Sequence, residues 1–331
     1  MSADMDLPQY VESFFRDRLV RQIGASNCTI RAYRDGLKLL INYIAEKKKI
    51  APHNLRFDDL SRGMVIDFLD YLERERGNSI QTRNARLAAI RSLFAHIATV
   101  NPARMASVSQ ITSIPSKKTT RRTIGYLVPN EIDALLATPD RDTESGRRVY
   151  VLLLFLLRTG ARVSEAVAVD RRDLRMSSPY QVLIHGKGEK ERCVPLSAEL
   201  VSQLSAQLST APSAKNAVFL NAKGARLTRH GIAHLLRACV RQAVERCPSL
   251  KGRRITPHVL RHTTAMCLLR AGVDLTTIRS WLGHSSVETT HLYVEADLEM
   301  KERALAACNH TDEGFIPYRP PDDLLAFLDS L

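Results

Sequence analysis

No stretch of this 331-residue chain is apolar for long enough to cross a bilayer. The longest unbroken run, Val149 to Leu157, falls well short of the roughly 20 residues a spanning helix needs. Met1 to Arg21 is an acidic and then amphipathic mixture without the apolar core of a signal peptide. The expectation is therefore a cytoplasmic, nucleoid-associated protein with no membrane partner. Cysteine is sparse. Cys28, Cys193, Cys239, Cys247, Cys267 and Cys308 include no C-x-x-C pair, which argues against a zinc ribbon or a disulfide framework and reads as reduced, mostly structural thiols. Negative charge is also in short supply, with 35 acidic against 48 basic residues, a net charge of +13 and a pI near 9.7. Such an imbalance favours a polyanionic partner, and without a lipid anchor or a long basic amphipathic surface helix, nucleic acid is favoured over membrane.

What is present is a two-domain pattern, since the length exceeds what one ordinary core absorbs. From Leu7 to Val100 the sequence reads as four helices. Ile30, Tyr33, Leu37, Leu40, Ile41 and Ile44 recur at three- and four-residue steps, as do Leu87, Ile90, Leu93, Phe94 and Ile97, giving each segment one buried stripe. The outer faces are expected to carry Arg31, Arg34 and Lys38 on one helix and Arg83, Arg86 and Arg91 on another. Those residues either follow a phosphate backbone or belong to a solvated charged face. Between Asn101 and Ile124 the apolar period disappears, and a basic, Ser/Thr-rich stretch bounded by Pro115 offers Lys117, Lys118, Arg121 and Arg122 to the same partner. The expected division is 1–105 helical, 106–124 linker, 125–308 second domain and 309–331 tail. In the second domain, Pro129 and Asn130 open a helix, and Val149 to Arg158 form one so apolar that it must be central, stopped by Gly160. Tyr180 to His185 and Glu191 to Pro195 flank a glycine-bearing turn and read as a hairpin. Helical patterns resume from Leu200 onward. The fold class is mainly α with a small β-hairpin: a helical bundle followed by a mixed α/β domain.

Three segments carry chemistry. In Thr256-Pro257-His258-Val259-Leu260-Arg261-His262, a Thr N-cap and a Pro at the first helical position start a helix. His258 and Arg261 then lie near its N-terminus, where free N–H groups attract an anion such as phosphate. A metal bound by His258 and His262 is the weaker alternative, because no H-E-x-x-H glutamate or third ligand accompanies them. In Thr159-Gly160-Ala161-Arg162-Val163-Ser164-Glu165, Arg162 follows the helix stop. It either joins Arg261 in gripping the two non-bridging oxygens of one phosphate or pairs with Glu165 on the surface. In the third segment, Trp281 to Tyr293, Ser285 and Glu288 form a capping box, with His284 just before the helix and Tyr293 about two turns inside.

The set T-G-A-R-V-S-E, H-G-K-G-E-K-E-R, H-V-L-R-H and L-G-H-S-S-V-E-T-T-H-L-Y, in this order, resembles the tyrosine recombinase (integrase) family that includes the Xer and Cre recombinases and lambda-type phage integrases. The likeness runs from Asn130 to Tyr293, and the Leu7 to Val100 bundle is similar to that family's SAM-like core-binding domain. The resemblance implies a clamp on DNA, with Arg162, Lys187, His258, Arg261 and His284 forming the pocket and Tyr293 acting as nucleophile. It also implies a 3′-phosphotyrosine intermediate, a free 5′-hydroxyl and a Holliday junction, without metal or nucleotide cofactor. The implied partners are double-stranded DNA with inverted-repeat sites and a tetramer of identical or related subunits on two sites. Such an enzyme would serve integration, transposition or resolution; the alternatives are type IB topoisomerase-like strand passage and a non-catalytic DNA-binding protein. Near the C-terminus, Leu324, Leu325, Phe327, Leu328 and Leu331 form an apolar stripe among aspartates after Pro320 and Pro321. This tail is expected to dock on a neighbouring subunit, the alternative being its own domain.

Overall fold

The computed structural model describes residues 6–119, 125–186, 190–210 and 216–283. Lys187, His284, Tyr293, Arg121, Arg122 and the C-terminal tail lie outside the described residues. The chain divides into two compact units, Met1–Arg121 and Arg122–Leu331.

The first unit is helical. Helix α1 (Leu7–Ser13) continues into a wider π-type coil over Phe14–Gln22, and is followed by α2 (Asn27–Lys48), α3 (Arg62–Arg74), α4 (Ile80–Val100) and α5 (Met105–Thr112). Asp6, Ser26, Ser61 and Ser79 each cap a helix by accepting a backbone N–H from the following turn, so short polar side chains fix where four of the helices begin. The core forms where the expected stripes meet: Leu37, Leu40 and Ile44 against Phe68 and Leu72, and against Leu87, Ile90, Phe94 and Ile97.

Two expectations fail in this unit. Helix α5 occupies part of the segment expected to be linker, and it buries Val108 and Ile111 in the bundle core, together with Ile114 just beyond it. Three apolar positions among serines and threonines are too few to register as a period. The basic residues of α4 do not stand free on an outer face either. Arg83 is 5% exposed, donates to the Pro115 carbonyl at 3.2 Å and lies 3.5 Å from Glu73. Arg86 donates to the Ala32 carbonyl of α2, and Arg91 to the Ile114 carbonyl. A long guanidinium stem can lie along a helix surface and deliver its donors to backbone carbonyls of neighbouring segments, which a surface-charge reading cannot anticipate. Lys117 pairs with Glu73 at 2.7 Å and Arg34 with Asp35 at 2.8 Å, while Arg31, Lys38 and Lys118 are exposed.

The second unit contains α6 (Pro129–Leu136), α7 (Glu144–Thr159) and α8 (Val163–Ala168), then strands β1 (Leu174–Arg175), β2 (Gln181–His185) and β3 (Glu191–Pro195), then α9 (Ala198–Thr210), α10 (Arg229–Arg246), α11 (Pro257–Arg270) and α12 (Leu275–Leu282). Helix α7 is central as expected, buried on every side from Tyr150 to Leu157 and packed against α9 and α11. The hairpin pairs Val182 with Val194 and Ile184 with Arg192, and the two-residue β1 adds a third antiparallel strand that is too short to leave a sequence signal. The stretch after α9 is not helical throughout: Asp170 bridges Ala217 and Leu220 bridges Arg226 before α10 begins. Cys239 and Cys247 are buried, but Cys28, Cys193 and Cys267 are exposed, so most of the described thiols are not core residues. Among the described residues no helix is long and apolar enough to cross a membrane.

Candidate functional site

Gly160 ends α7 in the left-handed region, at φ +62°. That turn buries Ala161 and makes Arg162 the residue that opens α8, so its backbone is held by the core while its side chain remains 36% exposed. Its backbone N–H and its Nη1 each donate to Glu165, to Oε2 and Oε1 respectively, both at 2.7 Å. Glu165 itself is 5% exposed. It also receives Arg192 from β3, with Nη1 donating to Oε1 at 3.2 Å and Nη2 to Oε2 at 2.7 Å. Arg261 of α11 is also buried, and its Nη1 lies 3.9 Å from Glu165 Oε2. Three guanidiniums thus converge on one carboxylate, leaving a net positive cluster. Burial alone would raise the Glu165 carboxyl, but the hydrogen bonds from Arg192 and from the backbone and side chain of Arg162 bring it down to about 2.

The same arginines grip the C-terminal end of α12. Arg192 Nε donates to the Trp281 carbonyl at 2.8 Å, Arg261 Nη2 to the Leu282 carbonyl, and Arg162 Nη2 to the Gly283 carbonyl at 3.1 Å. A helix C-terminus presents orphaned carbonyls and the negative end of its dipole, so it is a natural seat for three cations. Arg261 Nη1 further donates to the Gly160 carbonyl at 2.7 Å, tying the end of α7 to the end of α12. Gly283 turns with φ +65°, and a Cβ there would lie 3.0 Å from Arg192 Nη1.

Of the residues singled out in the sequence, Arg162 and Arg261 are brought together. His258 sits one turn before Arg261 on α11 and is exposed, whereas His262 is buried. Thr256 precedes α11 as expected, but its side chain makes no capping bond. The hairpin turn starts at the cluster: a Cβ on Gly186, the residue before Lys187, would stand 3.8 Å from Glu165 Oε1. Below that turn His185 bridges Glu191 at 2.8 Å and Asp173 at 3.2 Å. The Asp173 contact leads in raising the pKa of its ring.

Sequence reasoning missed three features. It weighed Glu165 as a surface partner of Arg162, whereas the carboxylate is buried and shared. It quoted Arg192 within H-G-K-G-E-K-E-R without giving it a role. It also passed over the exposed stripe His230, His234, Arg237 and Arg241 on α10, whose three- and four-residue spacing was the available signal. Part of that stripe, with Arg253, Arg254 and the start of α11, lines an open groove of about 690 Å³.

Comparison with known proteins adds the following. Residues 126–300 match the model of the phage integrase family, and residues 11–99 that of the phage integrase N-terminal SAM-like domain. The chain is 41% identical over its full length, and that of its relative, to y4rC of Sinorhizobium fredii, which carries an integrase/recombinase name. It is 30% identical to the tyrosine recombinase XerD of Listeria monocytogenes, across 86% of this chain and 92% of that one. Among solved structures it resembles the XerH site-specific recombinase bound to a palindromic difH substrate, with a TM-score of 0.67 and 24% identity over 86% of this chain and 80% of that one. It also resembles the Tn1549 transposon integrase in complex with transposon right-end DNA, with a TM-score of 0.68 and 18% identity over 91% and 98%.

Proposed function

The chain belongs to the phage integrase family of tyrosine recombinases, and from that premise we propose which residues carry out its reaction. It is a DNA breaking–rejoining enzyme that acts in site-specific recombination. Its substrate is DNA. A phosphodiester is already negative and gains charge on its non-bridging oxygens in the transition state, so preorganised cations are the main requirement. Arg162 and Arg261 meet it. Tyr293 Oη forms a bond to phosphorus as the bond from phosphorus to the 5′ oxygen breaks. His258 accepts the phenolic proton, Lys187 protonates the departing oxygen, and His284 donates to a non-bridging oxygen. The 3′-phosphotyrosine keeps the energy of the broken bond, so the 5′-hydroxyl of another strand reverses the step without ATP.

The observation that carries this reading is the net positive cluster at Glu165, built from Arg162, Arg192 and Arg261 and set where α12 leads into His284. Further proposals extend it. The first unit and the α10 stripe both contact duplex DNA, with Arg31, Lys38, Lys117, Lys118, Arg121 and Arg122 toward phosphates. Residues 125–308 form the catalytic domain, 309–331 dock on a neighbouring subunit, and a tetramer works on two inverted-repeat sites of nucleoid DNA. The test is covalent trapping on a nicked duplex: the wild-type protein forms a protein–DNA adduct and Tyr293→Phe forms none. Relaxation of a supercoiled plasmid lacking any recombination site would point instead to strand passage in one duplex.

A further inference from the structure

We infer that Arg192 is a positioning residue for strand cleavage: its guanidinium joins the carboxylate that orders Arg162 and Arg261 to the C-terminal end of α12, holding the phosphate-binding cations and the chain that enters His284 in one geometry. The inference rests on the roles proposed for Arg162, Arg261 and His284.

The Arg192 side chain is 10% exposed, against 36% for Arg162 and 6% for Arg261. Its donors point into the protein. Nη1 and Nη2 fork onto the two oxygens of Glu165, and Nε is committed to the Trp281 carbonyl. With all three nitrogens on protein acceptors that link separate elements, the part of Arg192 is to brace the site. It bridges three elements, β3, α8 and α12, that are distant in sequence, and it is the side chain that bonds all three, alongside the Arg162 and Arg261 links between α8 and α12. The planar fork suits this task because it makes a bidentate bond on one edge and a third bond at Nε, while a lysine offers a point charge that reaches one partner at a time.

Two neighbouring features fit the same role. A side chain at Gly283 would press on the guanidinium, with contacts of 3.0 Å to Nη1 and 3.2 Å to Cδ, and would strain a backbone at φ +65°, so glycine suits the chain leaving α12. On the other side Arg192 pairs across the hairpin with Ile184, two residues before Gly186, where the turn carrying Lys187 starts. Without Arg192, Glu165 loses two of its donors, its charge falls more heavily on Arg162 and Arg261, and the end of α12 loses one of its three anchors. Misplacing catalytic groups by about 1 Å is enough to slow chemistry by about 10²-fold.

The test uses the full-length protein and a nicked duplex carrying a recombination site, with single-turnover adduct formation at saturating DNA, DNA affinity and thermal unfolding all measured. Arg192→Ala is expected to slow adduct formation by about 10²-fold while DNA affinity stays at the wild-type value. Arg192→Lys, which keeps the charge, is expected to be slow as well and serves as the deciding variant if the alanine protein does not fold. The discriminating readout is a methylphosphonate at the scissile position, which removes the anionic oxygen that the cations neutralise. On it the Arg192 defect should shrink by about tenfold or more, in step with the defect of Arg162→Ala, because ordered cations are then less needed. Wild-type rates in both variants, a loss confined to DNA affinity, or an equal defect on both substrates would each overturn the inference. Failure of the wild-type protein to form any Tyr293-dependent adduct would bring down the proposed function first and this inference with it.

Discussion

Glu165 is the residue on which the site is centred. A carboxylate at 5% exposure is tolerated because Arg162, Arg192 and Arg261 surround it, and those three cations are held in one place by Glu165 together with the carbonyls that end α12. Glu165→Gln is therefore expected to destabilise the second unit by about 3–5 kcal/mol, measured by urea unfolding at neutral pH. Protons should act in the same direction. The folded carboxyl titrates at about 2 against an ordinary value of 4.5, so its contribution is complete above about pH 4.5 and disappears as pH falls through 2. The stability gap between wild type and Glu165→Gln should accordingly narrow as acid is added from pH 5 to pH 2.5. A gap that stays constant over that range would show that the charge of Glu165 is not what matters.

At the scale of elements, the short α12 decides where the chain goes next. Ile278 and Leu282 bury it against Ala265, Met266 and Leu269 of α11, and the three arginine-to-carbonyl bonds fix its end. Gly160 contributes from the other side: a Cβ there would stand 2.5 Å from Leu282 Cδ2 and 3.3 Å from Thr264, besides straining the φ of +62°. Gly272 offers the comparison, since it has φ +80° but nothing within 4 Å of a Cβ. Gly272→Ala should cost only the strain of the left-handed backbone, of the order of 1–3 kcal/mol. Gly160→Ala should cost more and lower the melting temperature further, because it also pushes α12 away from α7. Equal melting temperatures for the two variants would mean that the contact between Gly160 and Leu282 is not structural.

For the whole molecule, the charge of +13 and the two units bear on how DNA is held. Binding should weaken steeply with salt, since each phosphate neutralised releases a counterion. Replacing Arg237 and Arg241 on α10 with glutamine should reduce the slope of log affinity against log salt by about one per residue, measured by titrating duplex DNA between 50 and 200 mM salt, about the range where such losses are large. An unchanged slope would remove α10 from the interface. Much of this protein was legible in its sequence, because local chemistry wrote it there. Apolar stripes at three- and four-residue steps marked the helices of the first unit, Gly160 stopped α7, glycines between β-prone runs made the hairpin, and the T-G-A-R-V-S-E and H-V-L-R-H segments flagged Arg162 and Arg261. Helix α5 and strand β1 were not legible, being too short to show a period. Only the tertiary structure decided which arginines face outward. A guanidinium reads the same in sequence whether it reaches for solvent, as Arg31 does, or for a buried carbonyl or carboxylate, as Arg83 and Arg192 do. The difference lies in which orphaned acceptors the packing brings within reach, and that is settled by contacts between residues far apart along the chain.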